Sequence, residues 1–316
     1  MLLSAAQLQE IYCGALRFEE TADGYLQAFQ YTKEQVDYFA SSPVTFWYDR
    51  CVASNAKTIE CTTSATEISF GYKLLWKGSD DSVELYVDGL CTDIRYVRDL
   101  GEAGTLTFRL APGEKQVTIY LPADATMLLR DFAINATYAS VPRGEKVLWI
   151  GDSITQGFGP LRSSHTYVSI ANRILHYDVI NQGIGGYVYD KNTMIPMEGY
   201  RPDKIIIAMG TNQFGDKTMD AVEDYYRCLH EVYGDTPVLC VSPIWRGDYP
   251  DAYDVFVRFC EQVKEIAARY PNVTVVDGFT LVPHLPEYFL DKLHPNCLGM
   301  ELYARNLVDF IRRSGF

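Results

Sequence analysis

From Lys146 onward the chain alternates two periodicities, and that alternation leaves few folds open. Short apolar runs at Val147–Ile150, Asp178–Ile180, Ile205–Met209, Val238–Val241 and Val273–Val276 have the length of buried strands. Between them apolar residues recur at helical spacing. Val255, Phe259, Val263, Ile266 and Ala267 share one face of one segment, and Leu298, Leu302, Leu307, Val308 and Ile311 share a face of the last. Strands alternating with helices predict a parallel sheet covered on both sides, a three-layer α/β/α unit.

From about Tyr25 to Tyr138 the pattern is different. Glu67–Trp76 alternates roughly, and Ser82–Val97 holds two strand-like runs around Asp88-Gly89, a hairpin dipeptide. Thr105–Leu110 and Gln116–Leu121 flank the turn Pro112-Gly-Glu. Short strands at regular spacing without a long helix predict an antiparallel, jelly-roll-like β-sandwich. The polar stretch Ser140-Val-Pro-Arg-Gly-Glu145 marks the change, so the expected domains are 1–143 and 144–316. Phe46, Trp47, Tyr48 and Trp76 are read at strand spacing as core rather than as a sugar platform.

Four segments of the second half carry chemistry. The first strand ends in Gly151-Asp-Ser-Ile-Thr-Gln-Gly157. A serine on a tight strand-to-helix turn exposes its hydroxyl at the sheet edge and aims its own N–H where an oxyanion would form. Asn181-Gln-Gly-Ile-Gly-Gly186-Tyr lets the main chain approach a ligand closely. It is not a dinucleotide fingerprint, because that pattern fails at Val188. Ile205–Met209 runs into Gly-Thr-Asn212, which places an amide donor at the end of a strand. Asp291-Lys-Leu-His294 lets a carboxylate fold back onto Nδ1 of the imidazole. Each segment alone has an ordinary reading: a capping serine, a glycine turn, an Asn turn, a structural histidine. Their order as Ser…Asp…His, with two oxyanion donors between, points to acyl transfer.

These segments resemble the blocks of the SGNH (GDSL-type) hydrolase superfamily over roughly Lys146–Phe316. The resemblance makes Ser153 the nucleophile, Gly186 and Asn212 oxyanion donors beside the Ser153 N–H, and His294 the base with Asp291 as its orienting acid. Some relatives work with a Ser-His dyad, so Asp291 could be dispensable. In the third block Gln213 stands where the family usually has Asp. A β-sandwich before such a domain is similar to carbohydrate esterase family 2, whose members remove acetyl groups from plant polysaccharides, and to an SGNH acyltransferase of polyketide tailoring. The sandwich could bind glycan, wall the site or mediate homo-oligomerisation.

Neighbouring residues are weighed on position. Asp152 is assigned to holding the turn. His165 and His284 lack a local acid and are the lesser candidates for the base. Trp245, at the end of Val238–Val241, and Tyr187, after the glycine turn, are expected to wall the pocket. Arg246 is expected to bind a polar substrate group or pair with Asp248 at the surface. No His/Cys/carboxylate cluster has metal spacing, so neither metal nor cofactor is expected.

Composition narrows the partners. A net charge of −13 over 316 residues disfavours nucleic acid and anionic membranes and favours neutral substrates. No apolar run is long enough for a membrane span, and the first ten residues lack the basic start and apolar stretch of a signal peptide. Eight cysteines without C-x-x-C spacing, several of them in apolar patterns (Cys228, Cys240, Cys260), lead us to expect free thiols and a cytoplasmic location. The expected function is a serine esterase for short acyl groups, O-acetyl on a small-molecule or oligosaccharide substrate above all. An acyltransferase using the same acyl-enzyme is the alternative, and an idle glycan-binding protein is disfavoured because binding alone requires no Ser-His-Asp set. Tyr187 and Trp245 at the pocket mouth would exclude long acyl tails.

Overall fold

The computed structural model describes residues 1–79, 81–214 and 218–316. In the C-terminal half five parallel strands lie in the order Asp178–Gly183, Lys146–Gly151, Lys204–Ala208, Val238–Val241, Val273–Val276. Strand residues alternate between two buried layers. Val147, Trp149, Ile206 and Leu239 pack with the helices Tyr167–Leu175 and Cys297–Ser314. Leu148, Ile150, Ile205, Ile207 and Val238 pack with Met219–Tyr233 and Tyr253–Ala267. This is the three-layer arrangement that the alternating periodicities predict.

The N-terminal half contains two antiparallel sheets. One runs Tyr12–Cys13, Thr58–Thr63, Lys115–Tyr120, Ser82–Val87, Leu90–Tyr96, with Tyr138–Ser140 also paired to Thr58–Thr63. The other runs Arg17–Glu20, Leu26–Phe29, Ala125–Ile134, Glu67–Lys77, Ala103–Arg109. Their inner faces meet in one core that includes Ile59, Phe70, Leu85, Phe108, Ile119 and Leu129. Asp88 (φ 49°) and Gly89 (φ 80°) form the hairpin turn between Ser82–Val87 and Leu90–Tyr96. The strands flanking Pro112-Gly-Glu do not form a hairpin. Ala103–Arg109 and Lys115–Tyr120 belong to different sheets, so this turn carries the chain across the sandwich.

Short helices also occur here. Lys33–Ser41 starts with a capping box, in which Thr32 accepts from the Gln35 N–H and the Gln35 side chain accepts from the Thr32 N–H. Phe46–Cys51 is helical, so the strand spacing assumed for its aromatics does not hold. Phe39, Trp47, Cys51 and Val52 join the core of the parallel sheet. The two halves therefore share buried surface.

Polar groups reinforce the seam. Glu84, fully buried in the sandwich, accepts from Arg162 and from the Ser164 N–H (3.2 Å) and hydroxyl (2.7 Å). Burial raises its pKa, but Arg162 and the hydroxyl donors more than offset this and hold the carboxyl below its ordinary value. All eight cysteines are unpaired, and no helix among the described residues is long and apolar enough to cross a membrane.

Lys57 is the least usual group at this seam. Its ammonium is buried, donating to Gln30 Oε1 and Ala53 O, with no ion pair among the described residues. Desolvation pushes its pKa down to about 7. In the unfolded chain a lysine keeps its proton to roughly pH 10. The unfolded state therefore binds more protons above about pH 7, and the native state gains stability as pH rises from there. Denaturant midpoints of the wild-type protein are expected to rise relative to Lys57→Met between pH 7 and pH 9. Parallel pH profiles for the two would contradict this.

Candidate active site

The order of the parallel strands creates the site. The strand Lys146–Gly151 has its two successors on opposite sides, and helices leave the first and third strands towards opposite faces. A crevice opens where such chains diverge, at the C-terminal ends of the strands. Ser153, Gly186 and Asn212 each lie just beyond one of these three strands.

Ser153 begins the short helix Ser153–Gln156, whose N-cap is Asp152 accepting from Ile154 N–H at 3.1 Å. The strand can end this close to the helix only because residue 151 has no side chain. A Cβ there would lie 2.1 Å from Thr155 Oγ1 and 2.4 Å from Ala208 O. Asp152 is fully enclosed, and desolvation pushes its carboxyl up to about 7, against the Ile154 and Thr211 main-chain hydrogen bonds and the Arg246 charge. It holds the turn and does not touch the imidazole.

Ser153 Oγ lies 2.8 Å from His294 Nε2, across 141 residues of chain, and His294 Nδ1 lies 2.8 Å from Asp291 Oδ2. A carboxylate only accepts, so Nδ1 carries the proton and Nε2 is free to accept from the Ser153 hydroxyl. Asp291 Oδ1 also accepts from the Leu293 and His294 N–H groups at 3.1 and 2.8 Å. Partial burial raises the Asp291 pKa, but these hydrogen bonds from the His294 main chain and ring outweigh it and leave the carboxyl below its ordinary value. The His294 segment is pinned further. Leu290 N–H donates to His294 O at 2.8 Å, Asn296 caps the helix Cys297–Ser314, and the Phe158 ring packs edge-on at 4.5 Å from the imidazole.

Gly186 has φ 73°, a left-handed conformation, and a Cβ there would press on the Phe46 ring at 2.9 Å. Its carbonyl accepts from Trp47 Nε1 at 3.3 Å. The preceding Gly185 N–H donates to Gln156 Oε1 (2.7 Å), and Gln156 Nε2 donates to Asp124 Oδ1 (2.8 Å). Asp124 Oδ2 accepts from the Ser79 N–H and hydroxyl, both at 2.7 Å. The turn holding Gly186, an oxyanion donor only by expectation, is thus anchored through a relay that starts in the sandwich. Asn212 Nδ2 donates to Tyr187 O at 3.1 Å, which uses one of its two amide hydrogens and leaves the other for a ligand. Gln213 accepts from Tyr189 N–H at 2.6 Å, so a neutral oxygen serves where the family usually has a carboxylate.

A cavity of about 420 Å³ gathers Ser153, His294, Gly186 and Asn212, with Phe46, Arg50 and Asp124 forming a wall from the N-terminal half. Sequence reasoning missed that wall, and also Gln156 and Phe158. Gln156 stands inside the Ser153 segment, but nothing in its neighbours shows that it reaches Asp124. A second cavity of about 340 Å³ at the seam, between Tyr120 and Arg173, contains none of the four.

Three expected pocket residues are placed elsewhere. Tyr187 is 1% exposed, edge-on to Trp47 at 5.2 Å, with its hydroxyl on Thr193 Oγ1 at 2.7 Å. Its ring turns into the core because the positive φ of Gly186 redirects the chain. Trp245 stacks on His284 at 5.8 Å and meets Phe289 edge-on, outside the cavity lining. Arg246 is buried rather than at the surface. It forks onto Asp248, donates to Thr211 O, and lies over the Tyr249 ring at 4.7 Å. Nor do the lesser histidines approach Ser153: His165 Nδ1 pairs with Ser164 Oγ at 3.0 Å and His284 Nε2 with Phe279 O at 2.9 Å.

A hydroxyl, an imidazole and a carboxylate in line, facing main-chain and amide donors at the edge of a parallel sheet, define a site of the ester-hydrolase class. Residues 149–302, just under half of the chain, match the model of the GDSL-like Lipase/Acylhydrolase family. No curated protein matches the chain in sequence. Among solved structures it is similar to a salicylyl-acyltransferase from a tetracycline biosynthetic pathway, at 19% identity over 96% of this chain and 94% of that one, TM-score 0.76. It is similar to a family two carbohydrate esterase from Clostridium thermocellum in complex with cellohexaose, at 19% identity over 83% and 93%, TM-score 0.64. It is also similar to an acetyl xylan esterase from the rumen bacterium Butyrivibrio proteoclasticus, at 18% identity over 83% and 90%, TM-score 0.62. At these identities the likeness is one of fold.

The relay to Gly185 has a measurable consequence. Gln156→Leu frees the turn carrying Gly186, and is expected to lower kcat of ester hydrolysis about ten- to a hundredfold with KM little changed. An unchanged kcat in a folded variant would show that the turn holds its position without Gln156.

Proposed function

We propose that the protein is a serine esterase for short acyl esters, with O-acetyl groups on carbohydrate as the foremost substrates. The observation that carries this reading is the Ser153–His294–Asp291 chain, 2.8 Å at each link, opening on the cavity with Gly186 and Asn212.

In this mechanism Ser153 Oγ attacks the acyl carbon while its proton passes to His294 Nε2. The Asp291 carboxylate stabilises the imidazolium and holds Nδ1–H in place. The tetrahedral oxyanion is received by the N–H groups of Ser153 and Gly186 and the free amide hydrogen of Asn212, donors already fixed by their surroundings. His294 protonates the leaving alcohol. Water, deprotonated by the same nitrogen, then attacks the acyl-enzyme and releases the acid.

The carbohydrate part draws support from the likeness to family two carbohydrate esterases and an acetyl xylan esterase. Short acyl groups are favoured on different grounds from those of Tyr187 and Trp245, which stand away from the cavity. Its walls interrupt two phenyl rings, Phe46 and Phe158, with the charged Arg50 and Asp124, which disfavours burial of a long apolar tail. A methylene contributes about 0.8 kcal/mol only where it is buried. The second reading is acyl transfer to an alcohol, supported by the likeness to the salicylyl-acyltransferase over nearly the whole chain.

Ser153→Ala is expected to abolish turnover of p-nitrophenyl acetate without loss of fold, and His294→Ala to be nearly as damaging, because groups acting as a unit are not additive. Asp291→Asn should be intermediate, and His284→Ala near wild type. A greater loss for His284→Ala than for His294→Ala would refute the assignment of the base. Across p-nitrophenyl esters kcat/KM should fall clearly from acetyl to octanoyl, and a steady rise would contradict the short-acyl claim. Release of acetate from acetylated oligosaccharides in water supports hydrolysis. Transfer to an added alcohol with negligible release would establish the acyltransferase reading instead.

A further inference from the structure

The wall facing Ser153 holds a cation that the mechanism does not use. Arg50 lines the cavity with Phe46, and its guanidinium carbon lies 4.6 Å above that ring. Its stem covers the oxyanion turn so closely that a Cβ on Gly185 would lie 2.6 Å from Arg50 Cδ and Nε. Among the described residues the guanidinium has neither a hydrogen bond to nor an ion pair with another group, its ring contact aside. Other arginines near the site are committed: Arg162 to Glu84 and Arg246 to Asp248. The other charge on the cavity, Asp124, is 3% exposed and saturated by Gln156 and Ser79.

An unpaired guanidinium at the mouth is solvated in the free protein. A substrate filling the cavity strips that water, and donors left without an acceptor are costly. A ligand that covers Arg50 must therefore offer an acceptor. The Phe46 ring below holds the guanidinium plane, and a planar fork best matches a planar carboxylate. Phe46 is itself 44% exposed, giving the carbon skeleton beside that group an apolar face to lie on.

We propose that Arg50 is a specificity residue that receives a carboxylate on the ester substrate, so that the preferred substrate is an acid-bearing ester. This departs from the neutral preference expected of a chain with net charge −13, because of the two charges on the cavity Arg50 is unpaired while Asp124 is already satisfied by Gln156 and Ser79. The carboxylate could sit on the acyl part, as in a dicarboxylic half-ester, or on the alcohol part, as in an acidic sugar or hydroxy acid. The proposal relies on the esterase reading only for the position of the reacting ester beside Ser153.

The test uses two matched pairs: phenyl acetate against 3-carboxyphenyl acetate for the alcohol side, and p-nitrophenyl pentanoate against p-nitrophenyl hemiglutarate for the acyl side. Affinity is measured in Ser153→Ala and kcat/KM in the wild type. In one pair the acidic ester should be favoured over its neutral partner about ten- to a hundredfold, with the advantage shrinking at high salt. Arg50→Gln, alone and in the Ser153→Ala background, should collapse that ratio, and Arg50→Lys should keep part of it. If Arg50→Gln does not fold, a severalfold drop of the ratio in Arg50→Lys supports the proposal and an unchanged ratio overturns it. It is overturned equally if neither pair discriminates, or if the ratio survives in folded Arg50→Gln. Absence of all turnover in the wild type would sink the esterase reading, while the affinity ratios would still decide the role of Arg50.

Discussion

The Gly183–Gly186 turn is held from both halves of the molecule, and the site depends on it. Asn55 Nδ2 donates to Asn181 O (3.1 Å) and Gly183 O (3.4 Å), Trp47 Nε1 donates to Gly186 O, and Asp124 acts through Gln156 on the Gly185 N–H. Three of these anchors, Trp47, Asn55 and Asp124, come from residues before the parallel sheet begins. A main-chain N–H is a useful oxyanion donor only while its direction is fixed before the charge develops. Here that fixing is done largely by the other half of the chain.

The same seam shapes the pocket. The parallel sheet alone supplies a crevice with Ser153, Gly186 and Asn212 along its rim, and the segment leading into the last helix brings His294 to it. The opposite wall, with Phe46, Arg50 and Asp124, is built by the short helix Phe46–Cys51 and the turn after Lys115–Tyr120. The cavity is therefore lined by both halves: Phe46, Arg50 and Asp124 come from the N-terminal half, while Ser153, His294, Gly186 and Asn212, the groups proposed to act on the ester, come from the C-terminal half. Buried, hydrogen-bonded charge at Glu84 ties the two together through Arg162 and Ser164.

Much of this was legible in the sequence. Strand and helix periodicities identified the parallel sheet, Asp88-Gly89 identified a hairpin of the sandwich, and the structure brings Ser153, Gly186, Asn212, Asp291 and His294 to one place. These features were readable because each is encoded locally, by a period, a turn dipeptide or a four-residue spacing. What failed was everything that depends on where a side chain travels after the backbone has turned. Tyr187 follows a glycine at positive φ and enters the core, and Arg246 folds back onto Asp248 among the rings of Phe214, Tyr249 and Phe256. Phe46 sits on a helix at the pocket, although it reads equally well as a strand residue. Arg50, Asp124 and Gln156 carry no local mark, since their roles arise from packing between segments far apart in sequence.

The most direct test of the central claim is to trap the acyl-enzyme. Wild-type protein mixed with p-nitrophenyl acetate, quenched in acid and digested, should carry one acetyl group on the peptide containing Ser153, and His294→Ala should accumulate far less of it over the same interval. Sustained turnover with that peptide unmodified, or with the acetyl group on another residue, would contradict the account.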